Sequence, residues 1–508
     1  MTEKDSTQAA RRHRLIPWVI LGFALVGAVL VLVATSRYGP GVSPDSVAYL
    51  TAARDLASDG HLGHYFLKWP PFFPVVLGAL GWVGVEPMTA CRVLHALIFG
   101  GIIGLSAAWL RGETDSPVWP VGACVLTVFS TVLLDVSHRA WSEPLFILLS
   151  LVALWAISRS EKEARLKWVL LGALATALAW LTRYIGVTVA VSGGIILFLE
   201  DDWSWKKRFG YAGLFLGISG APIVMWLARN WFISGTLTGQ RYPAQVALWE
   251  NVSRAGSTLA MMFLPDEIVA LVPGAAWFLA VIGLASGLVC YAGRQRKQEG
   301  LPRSSPTTKA LSVFLIVYVT GLLITATLIR FDPIGMRLLS PVYVPLVLLA
   351  LVSLADVAEM KKAKGNPEKK SDRAVVLVCL GALVLWLPVG ITRTVGLMGV
   401  WLEEGAGGYN RARWRESETL AYVAEREEMR PLVSNAAGAV QFVTGRPVTR
   451  GPTESMCGES GREDGYLIWF KDVGALPYLL SLSEFRACRE VELVADFEDG
   501  AVYRIGRQ

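Results

Sequence analysis

Charge is scarce in this sequence. Only 18% of the 508 residues are Asp, Glu, Lys or Arg, whereas soluble domains carry about 25%. Hydrophobic residues make up 53% of the chain, and many of them form runs long enough to cross a bilayer. This pattern excludes an ordinary soluble domain and predicts an α-helical polytopic membrane protein in contact with membrane lipids. The net charge of +6 does not indicate a nucleic-acid partner, because the basic residues lie in short loops between the apolar runs.

Cofactor-binding patterns are missing as well. The six cysteines include no Cys-x-x-Cys pair and no His/Cys cluster of the kind that binds zinc or haem. No glycine-rich stretch has phosphate-loop spacing. We therefore predict no bound cofactor and leave a divalent metal open. Cys457 and Cys488 lie in the polar C-terminal region, where an oxidising compartment would let them pair, and the sequence leaves paired and free thiols equally open.

The long apolar runs predict about eleven transmembrane helices. Lys and Arg residues in the loops set their orientation. Residues 1–15 contain three arginines and are predicted to be cytoplasmic; the basic loops at 159–167, 206–208, 294–297 and 361–370 then all fall on that same side. This predicts a plasma (inner) membrane protein with a transmembrane domain at 16–395. The predicted spans are 16–35, 91–110, 119–136, 144–157, 168–182, 185–199, 210–229, 267–291, 310–329, 338–355 and 374–395.

The C-terminal region, 396–508, has a different composition. Residues 413–430 form a charged pattern that predicts one helix, and "PLVSNAA", "RPVTRG" and "GYLIWF" predict short strands. Residues 491–506 predict a hairpin that turns at Asp499-Gly500. We expect a small α/β domain on the extracytoplasmic side of the membrane.

Two short helices are predicted in the outer segment at 43–85. The first is "SPDSVAYLTAARDLASDG" (43–60), where Ser43 suits the N-cap, Pro44 the first helical position and Asp45 the first turn. The second lies in "PPFFPVVLGALGWVGV" (70–85). A complete span there would move every later basic loop to the opposite side, so we interpret it as a re-entrant or interfacial helix.

Charged and polar residues gather at the predicted outer ends of the spans. A charge at membrane depth costs about 2.5–3.5 kcal/mol on insertion scales, so several of them at one face predict a polar cavity between the helices. In the alternative interpretation, Asp45 only stabilises its helix dipole, and Arg183 and Arg337 extend to the membrane surface as anchors. The residues are Asp45, Lys68 in "LKWPP", His138, Arg139 and Glu143 in "HRAWSEPLF", Arg183 and Tyr184 in "LTRYIG", and Asp332 and Arg337 in "DPIGMRLLSP".

These motifs, in this order, resemble those of the GT-C superfamily of integral-membrane glycosyltransferases. The resemblance rests on the acid of "SPDSVAYLTAARDLASDG" after the first span, on "WPPFFP", on an outer "WSEPLF" and on a later "RLLSPVYVPL", over about residues 16–350. Protein O-mannosyltransferases and the lipid A aminoarabinose transferases are similar groups. The resemblance implies a sugar donor linked to polyprenyl phosphate and an acceptor hydroxyl, which meet in an outward-facing cavity.

The same resemblance implies roles for individual residues. Asp45 would act as the base that receives the proton of the acceptor hydroxyl, in a reaction that inverts the anomeric centre, and Glu143 would be the second catalytic acid. The donor phosphate would bind to cations. The candidates are Lys68, Arg183 and Arg337 for the phosphate, and His138, Arg139, Tyr184 and Asp332 for the cavity.

Two other function classes stay open at this point. A transporter or lipid flippase could use the same charged cavity as a substrate or proton path, although such proteins usually contain internal repeats and we find none here. A non-catalytic assembly protein could use the C-terminal domain as a binding module. Which sugar is moved, and whether the acceptor is a lipid, a glycan or a protein, does not follow from the residues.

Overall fold

The structure, a computed structural model, describes residues 3–63, 66–160, 165–200, 203–298, 300–302, 304–362, 370–458, 464–473 and 479–506. Parts of the basic loops predicted at 159–167 and 361–370 lie outside these residues. The described chain divides into two units: residues 1–33 with 52–398, and residues 34–51 with 399–508. The second unit therefore combines the predicted C-terminal domain with a short segment from the predicted outer face.

Helices dominate the first unit and also form most of its connections. They are α1 (Glu3–Ala34), α2 (Pro44–Asp59), α3 (Phe72–Gly81), α4 (Pro87–Arg111), α5 (Val118–Val128), α6 (Thr131–Ser137), α7 (Glu143–Arg159), α8 (Arg165–Thr182), α9 (Val187–Phe198), α10 (Trp205–Ser234), α11 (Leu248–Met261), α12 (Asp266–Val269), α13 (Gly274–Gln298), α14 (Pro306–Leu328), α15 (Met336–Lys362) and α16 (Lys370–Glu404). The division between the units falls within α2 and near the end of α16.

Seven of these helices are long and apolar enough to cross a membrane. They are α1 from Leu15, α4, α8, α10, α13, α14 and α15 to Ala358. The pair α5 and α6, bent by 54°, adds an eighth if it forms one span. The predicted spans at 144–157 and 185–199 correspond to α7, with 17 residues, and to α9, with 12. The span predicted at 374–395 lies within α16. A polytopic helical fold is therefore confirmed, whereas the number eleven stays a prediction.

Small residues let the helices of this unit approach closely. A Cβ atom added to Gly193 of α9 would lie 2.3 Å from Cζ of Phe215 of α10, and one added to Gly100 of α4 would lie 2.8 Å from the Ala24 carbonyl of α1. Membrane helices gain stability from such close van der Waals packing, because lipid offers no hydrophobic driving force between them. The same helices expose large apolar side chains such as Trp18, which is 70% exposed.

Two short helices, α2 and α3, form within residues 43–85, and their location at the outer face stays a prediction. In α2, the Ser46 amide donates to Ser43 Oγ at 3.3 Å, which is an N-cap contact. The apolar side of α2 is buried, with Leu50 at 1% and Leu56 at 8% exposure. Within the first unit, α3 packs on the second half of α2, since Trp82 Nε1 donates to the Leu56 carbonyl at 3.0 Å.

A five-stranded sheet forms the centre of the second unit. The strands are β1 (Leu432–Ser434), β2 (Val448–Arg450), β3 (Gly465–Phe470), β4 (Val491–Asp496) and β5 (Gly500–Ile505), in the order β2-β1-β3-β5-β4. The first three are parallel, whereas β5 runs antiparallel to β3 and β4. The helices are α17 (Ala412–Arg415), α18 (Glu418–Ala424), α19 (Ala437–Thr444) and α20 (Leu482–Cys488). This is the small α/β domain that the sequence predicts.

Successive residues of β3 enter different hydrophobic clusters, as the alternation of side chains in a strand requires. Ile468 and Phe470 belong to one cluster with Trp414, and Leu467 belongs to a second with Phe485. The second cluster includes the disulfide between Cys457 and Cys488, so the structure pairs the two thiols that the sequence left open.

Two local predictions in this unit are wrong. The single helix expected at 413–430 is divided into α17 and α18, because the Ser417 side chain accepts from the Leu420 amide and starts a new helix. The hairpin at 491–506 forms, but it turns one residue earlier than expected, where the Phe497 amide donates to the Gly500 carbonyl at 2.8 Å. The Asp499 carboxylate instead accepts from the Thr419 hydroxyl at 2.7 Å.

Candidate active site

The charged cluster starts in the turn between α6 and α7. This turn, residues 138–142, is tight: the Trp141 amide donates to the Arg139 carbonyl at 2.8 Å. Glu143 and Pro144 then open α7. Both suit their positions, because an acid is favourable in the first turn of a helix and proline lacks the amide hydrogen that would stay unbonded there. The sequence therefore places a carboxylate at the beginning of the apolar helix α7.

Glu143 binds two arginines from other elements. Its Oε1 lies 2.5 Å from Arg183 Nη1, directly after α8, and 2.5 Å from Arg337 Nε, the second residue of α15. The Glu143 side chain is completely buried, whereas each arginine side chain keeps 17% exposure. A buried carboxylate is costly unless it is paired and hydrogen-bonded, so the two guanidinium groups account for its presence. The three groups together carry a net charge of +1.

Trp141 lies against this cluster. The centre of the Arg337 guanidinium is 4.3 Å from the centroid of the Trp141 ring, and that of Arg139 is 4.8 Å from it. Both distances suit cation–π attraction. Arg139 also pairs with Asp135 at 3.3 Å. Asp332 is at the margin of the cluster, 75% exposed and 3.6 Å from Arg337 Nη1.

A second group of polar side chains holds the backbone that carries Lys68. The carbonyl oxygens of residues 66–68 accept hydrogen bonds from four side chains of other elements. Lys68 itself is exposed, with Nζ 5.3 Å from the ring centroid of Trp69. The donors are Arg229 Nη1 to Phe66 at 3.2 Å, Asn230 Nδ2 to Leu67 at 3.4 Å, the Tyr184 hydroxyl to Leu67 at 3.2 Å, and Arg241 Nη2 to Lys68 at 2.8 Å.

The motif "TRYIG" connects these two groups. Arg183 binds Glu143, and the next residue, Tyr184, binds the Lys68 segment. The first unit thus brings together Glu143, Arg183 and Arg337, and its Lys68 segment is joined to them through the adjacent residues Arg183 and Tyr184. A buried acid holds the two arginines, and fixed backbone contacts hold the segment that carries Lys68. Cations arranged in this way can bind a phosphate without reorganisation.

His138 has a different environment. It ends α6, is completely buried, and its Nδ1 donates to the Leu134 carbonyl of its own helix at 3.0 Å. Its role in a cavity stays a prediction.

Asp45 belongs to the second unit. It is the second residue of α2 and is half-buried. Its catalytic role also stays a prediction.

Among the described residues, no three His, Cys, Asp or Glu side chains are grouped closely enough to hold a metal ion.

The fold closely resembles that of solved membrane glycosyltransferases. ArnT from Cupriavidus metallidurans, a lipid A aminoarabinose transferase, matches in its apo state with a TM-score of 0.62 and 14% identity, over 96% of this chain and 97% of ArnT. The chain has the GT-C fold. ArnT bound to undecaprenyl phosphate matches with a TM-score of 0.60 and 15% identity, over 96% of this chain and 98% of ArnT.

A more distant GT-C structure matches too. The archaeal oligosaccharyltransferase AglB from Archaeoglobus fulgidus, in complex with an inhibitory peptide and a dolichol-phosphate, has a TM-score of 0.52 and 12% identity, over 89% of this chain and 69% of AglB. No family model and no curated protein matches the sequence. The likeness establishes the GT-C fold and leaves the substrates to be inferred from the site.

Several residues around the charged cluster were missed in the sequence. Trp141 lies within the quoted motif "HRAWSEPLF", but nothing in the motif indicates that its ring would face Arg337. Arg229 and Asn230 are polar residues near the end of the apolar helix α10. A charged residue at the end of an apolar run is the same signal that identified Arg183, so the sequence could have indicated this pair. Arg241 follows in an irregular loop, where no periodicity reveals a partner.

Proposed function

We propose that this chain is a glycosyltransferase that moves a sugar from a polyprenyl-phosphate donor to an acceptor hydroxyl on the outer face of the membrane. The observation that carries the proposal is the pair of guanidinium groups held by one buried carboxylate, Glu143, in a chain of GT-C fold. A cluster with net positive charge at the ends of membrane helices suits a lipid phosphate, whose other end is a hydrocarbon chain. The ArnT structure with undecaprenyl phosphate supports this class of donor.

In this proposal Arg183 and Arg337 bind the donor phosphate, and Lys68 adds a third cation. Arginine presents several N–H groups in a planar fork that matches phosphate oxygens. The 17% exposure of both side chains lets a ligand approach them from outside the protein. Lys68 adds a mobile charge on a backbone that four side chains fix.

Glu143 has a positioning role in this proposal. The sequence suggested a second catalytic acid, but Oε1 of this buried carboxylate is already bound by two guanidinium groups. Such a group holds the two cations in place. We therefore assign Glu143 to the orientation of Arg183 and Arg337.

Asp45 acts as the base. As the acceptor oxygen attacks the anomeric carbon, its proton passes to the Asp45 carboxylate. The bond between the anomeric carbon and the phosphate oxygen breaks, and its electron pair stays on the phosphate. The cations stabilise the charge that develops there. Attack from the side opposite the phosphate inverts the anomeric centre.

The first test follows the release of polyprenyl phosphate from a panel of polyprenyl-monophosphate sugars by the purified full-length protein, with a membrane extract as acceptor source. Wild type should release lipid phosphate from at least one donor, and Asp45→Asn should abolish transfer while the protein stays folded. Asp59→Asn is the matched control, because Asp59 is an exposed carboxylate at the other end of α2. Near-normal turnover by Asp45→Asn would remove Asp45 from the mechanism.

The second test concerns donor binding. Hydrogen bonds to charged groups contribute about 1.5–3 kcal/mol, so Arg337→Ala should lower kcat/KM for the donor by roughly 10- to 150-fold. Arg254→Ala is the control, since that arginine forms a partly exposed pair with Glu250 within α11. An unchanged donor dependence of Arg337→Ala would restore the interpretation of Arg337 as a surface anchor. Lipid movement across vesicles without sugar release would favour a flippase instead.

A further inference from the structure

A clasp in the second unit joins the segment before α2 to the C-terminal end of α16 and the residues that follow it. We define this clasp as residues 37–42 together with residues 403–416. Its centre is a parallel bridge between Val42 and Gly408. The Val42 amide donates to the Gly407 carbonyl at 3.2 Å, and the Tyr409 amide donates to the Val42 carbonyl at 2.8 Å. Val42 is thus held by both of its backbone polar groups.

Side chains fasten the clasp on either side of this bridge. Asn410 is completely buried, and its Nδ2 donates to the Pro40 carbonyl at 2.7 Å. Arg37 Nη2 donates to Glu416 Oε1 at 2.9 Å, and the Tyr38 hydroxyl donates to the same oxygen. These contacts join residues that lie more than 360 positions apart in the chain.

Glycine is required on the C-terminal side of the clasp. Gly408 has φ +60°, and a Cβ atom there would lie 1.9 Å from the Val42 carbonyl oxygen. Gly405 has φ +87°, and its Cβ atom would lie 2.7 Å from Cδ2 of Tyr38 in the other segment. Any side chain at these positions would separate the two segments. The close approach of the backbones therefore depends on two glycines in the left-handed region.

The clasp ends directly beside the helix that carries the proposed base. Val42 precedes Ser43, whose hydroxyl and carbonyl receive the first amides of α2, and Asp45 follows two positions later. A helix start that is held by its cap and by Val42 has little freedom to tilt or fray. The position of Val42 therefore determines where the first turn of α2, and with it the Asp45 carboxylate, is placed.

We propose that the clasp is a positioning device for catalysis, by which the C-terminal domain sets the location of Asp45. This inference rests on the proposed function, since it assigns the clasp to the proton-transfer step and not to donor binding. A base displaced by about 1 Å can cost a factor of roughly 10² in rate. Loosening the clasp should therefore lower kcat by about 10²-fold and change the KM for the donor little.

Gly408→Ala tests this proposal in the full-length protein. The matched control is Gly445→Ala, because Gly445 has a similar φ of +69° but no atom within 4 Å of an added Cβ. Both variants place alanine at a similar positive φ, and only Gly408→Ala also creates the contact with the Val42 carbonyl oxygen that opens the clasp. If Gly408→Ala proves hard to purify, Glu416→Gln provides a milder perturbation, since Glu416 is 59% exposed. We expect kcat to fall in Gly408→Ala, and to a lesser degree in Glu416→Gln, but not in Gly445→Ala.

A second readout does not depend on activity. Amide hydrogen exchange of residues 43–51 should become faster in Gly408→Ala and stay at the wild-type rate in Gly445→Ala. Unchanged exchange in Gly408→Ala, or an equal loss of kcat in both glycine variants, would overturn the role of the clasp. If wild type transfers no sugar from any donor, the proposed function itself fails, and the exchange rates still decide whether the clasp holds α2.

Discussion

Replacing Glu143 with glutamine removes the one negative charge that holds the two site arginines together. Arg183 Nη1 and Arg337 Nε each lie 2.5 Å from the same oxygen, so these nitrogens are no more than about 5 Å apart. Two unit charges at this distance repel each other by about 3 kcal/mol at an effective dielectric constant of about 20. Removing one partner of a buried pair costs about 3–5 kcal/mol in other proteins. We therefore expect Glu143→Gln to lower the free energy of unfolding by about 3 kcal/mol.

Added ligand should reverse much of this loss. The phosphate of undecaprenyl phosphate can take the place of the missing carboxylate between the two guanidinium groups. A ligand that binds only the folded state stabilises it in proportion to its affinity, so undecaprenyl phosphate should stabilise Glu143→Gln more than it stabilises wild type. Denaturant unfolding of the detergent-solubilised protein, with and without this lipid, measures both effects.

The control for this experiment is Glu250→Gln. Glu250 is also 2.5 Å from an arginine, Arg254, but its side chain is 52% exposed, and such pairs within a helix contribute only about 0.3–0.5 kcal/mol. If Glu143→Gln unfolds like Glu250→Gln, or if the lipid stabilises wild type and Glu143→Gln equally, the carboxylate does not organise the arginines and our reasoning about the cluster is refuted.

Two further predictions concern the second unit. The Tyr38 hydroxyl and the Arg37 guanidinium hold the pKa of the Glu416 carboxyl below its ordinary 4.5, so the stabilisation from this carboxylate should be complete above pH 4.5 and disappear as the pH falls through the lower folded-state pKa. The difference in Tm between wild type and Glu416→Gln should accordingly shrink between pH 7 and pH 3, and a constant difference would contradict this. The disulfide between Cys457 and Cys488 closes a loop with a sequence separation of 31. A double Cys→Ser variant should lose about 3–4 kcal/mol of unfolding free energy; equal unfolding midpoints under oxidising conditions would show that the bond is not formed.

The sequence predicted structural elements and site residues correctly where the prediction depended only on neighbouring residues in the chain. Rare charges at the ends of apolar runs located Glu143, Arg183 and Arg337, because the cost of placing charge in a membrane makes such residues stand out. Short apolar stretches bounded by turn residues located β3, β4 and β5, because strand and turn preferences are also local signals. Helix α2 and its Ser43 cap followed from the preference of serine, proline and acids for the first turn.

Contacts between distant parts of the chain could not be predicted. Nothing near Glu143 indicates that one carboxylate serves two arginines from different helices. The break between α17 and α18 depends partly on Asp499, which binds Ser417 and Thr419 from about 80 residues away. Helical propensity alone favoured a continuous helix at 413–430, and tertiary contacts overrode it. The contacts of the clasp were the hardest to predict. Neither Tyr38 nor Gly408 reveals its partner when the sequence around it is considered alone.

The clasp also has a consequence for the order in which the chain forms its two candidate sites during synthesis. Asn410 and Pro40 are separated by 370 residues, and a ribosome that adds about 5–20 residues per second needs about 20–75 s to make the chain between them. During that interval the start of α2 lacks the backbone partners of Val42, and Asp45 has no fixed place. In the proposed function, a growing or C-terminally truncated chain that has already formed the Arg183 and Arg337 site would bind a lipid-linked sugar donor but could not transfer the sugar.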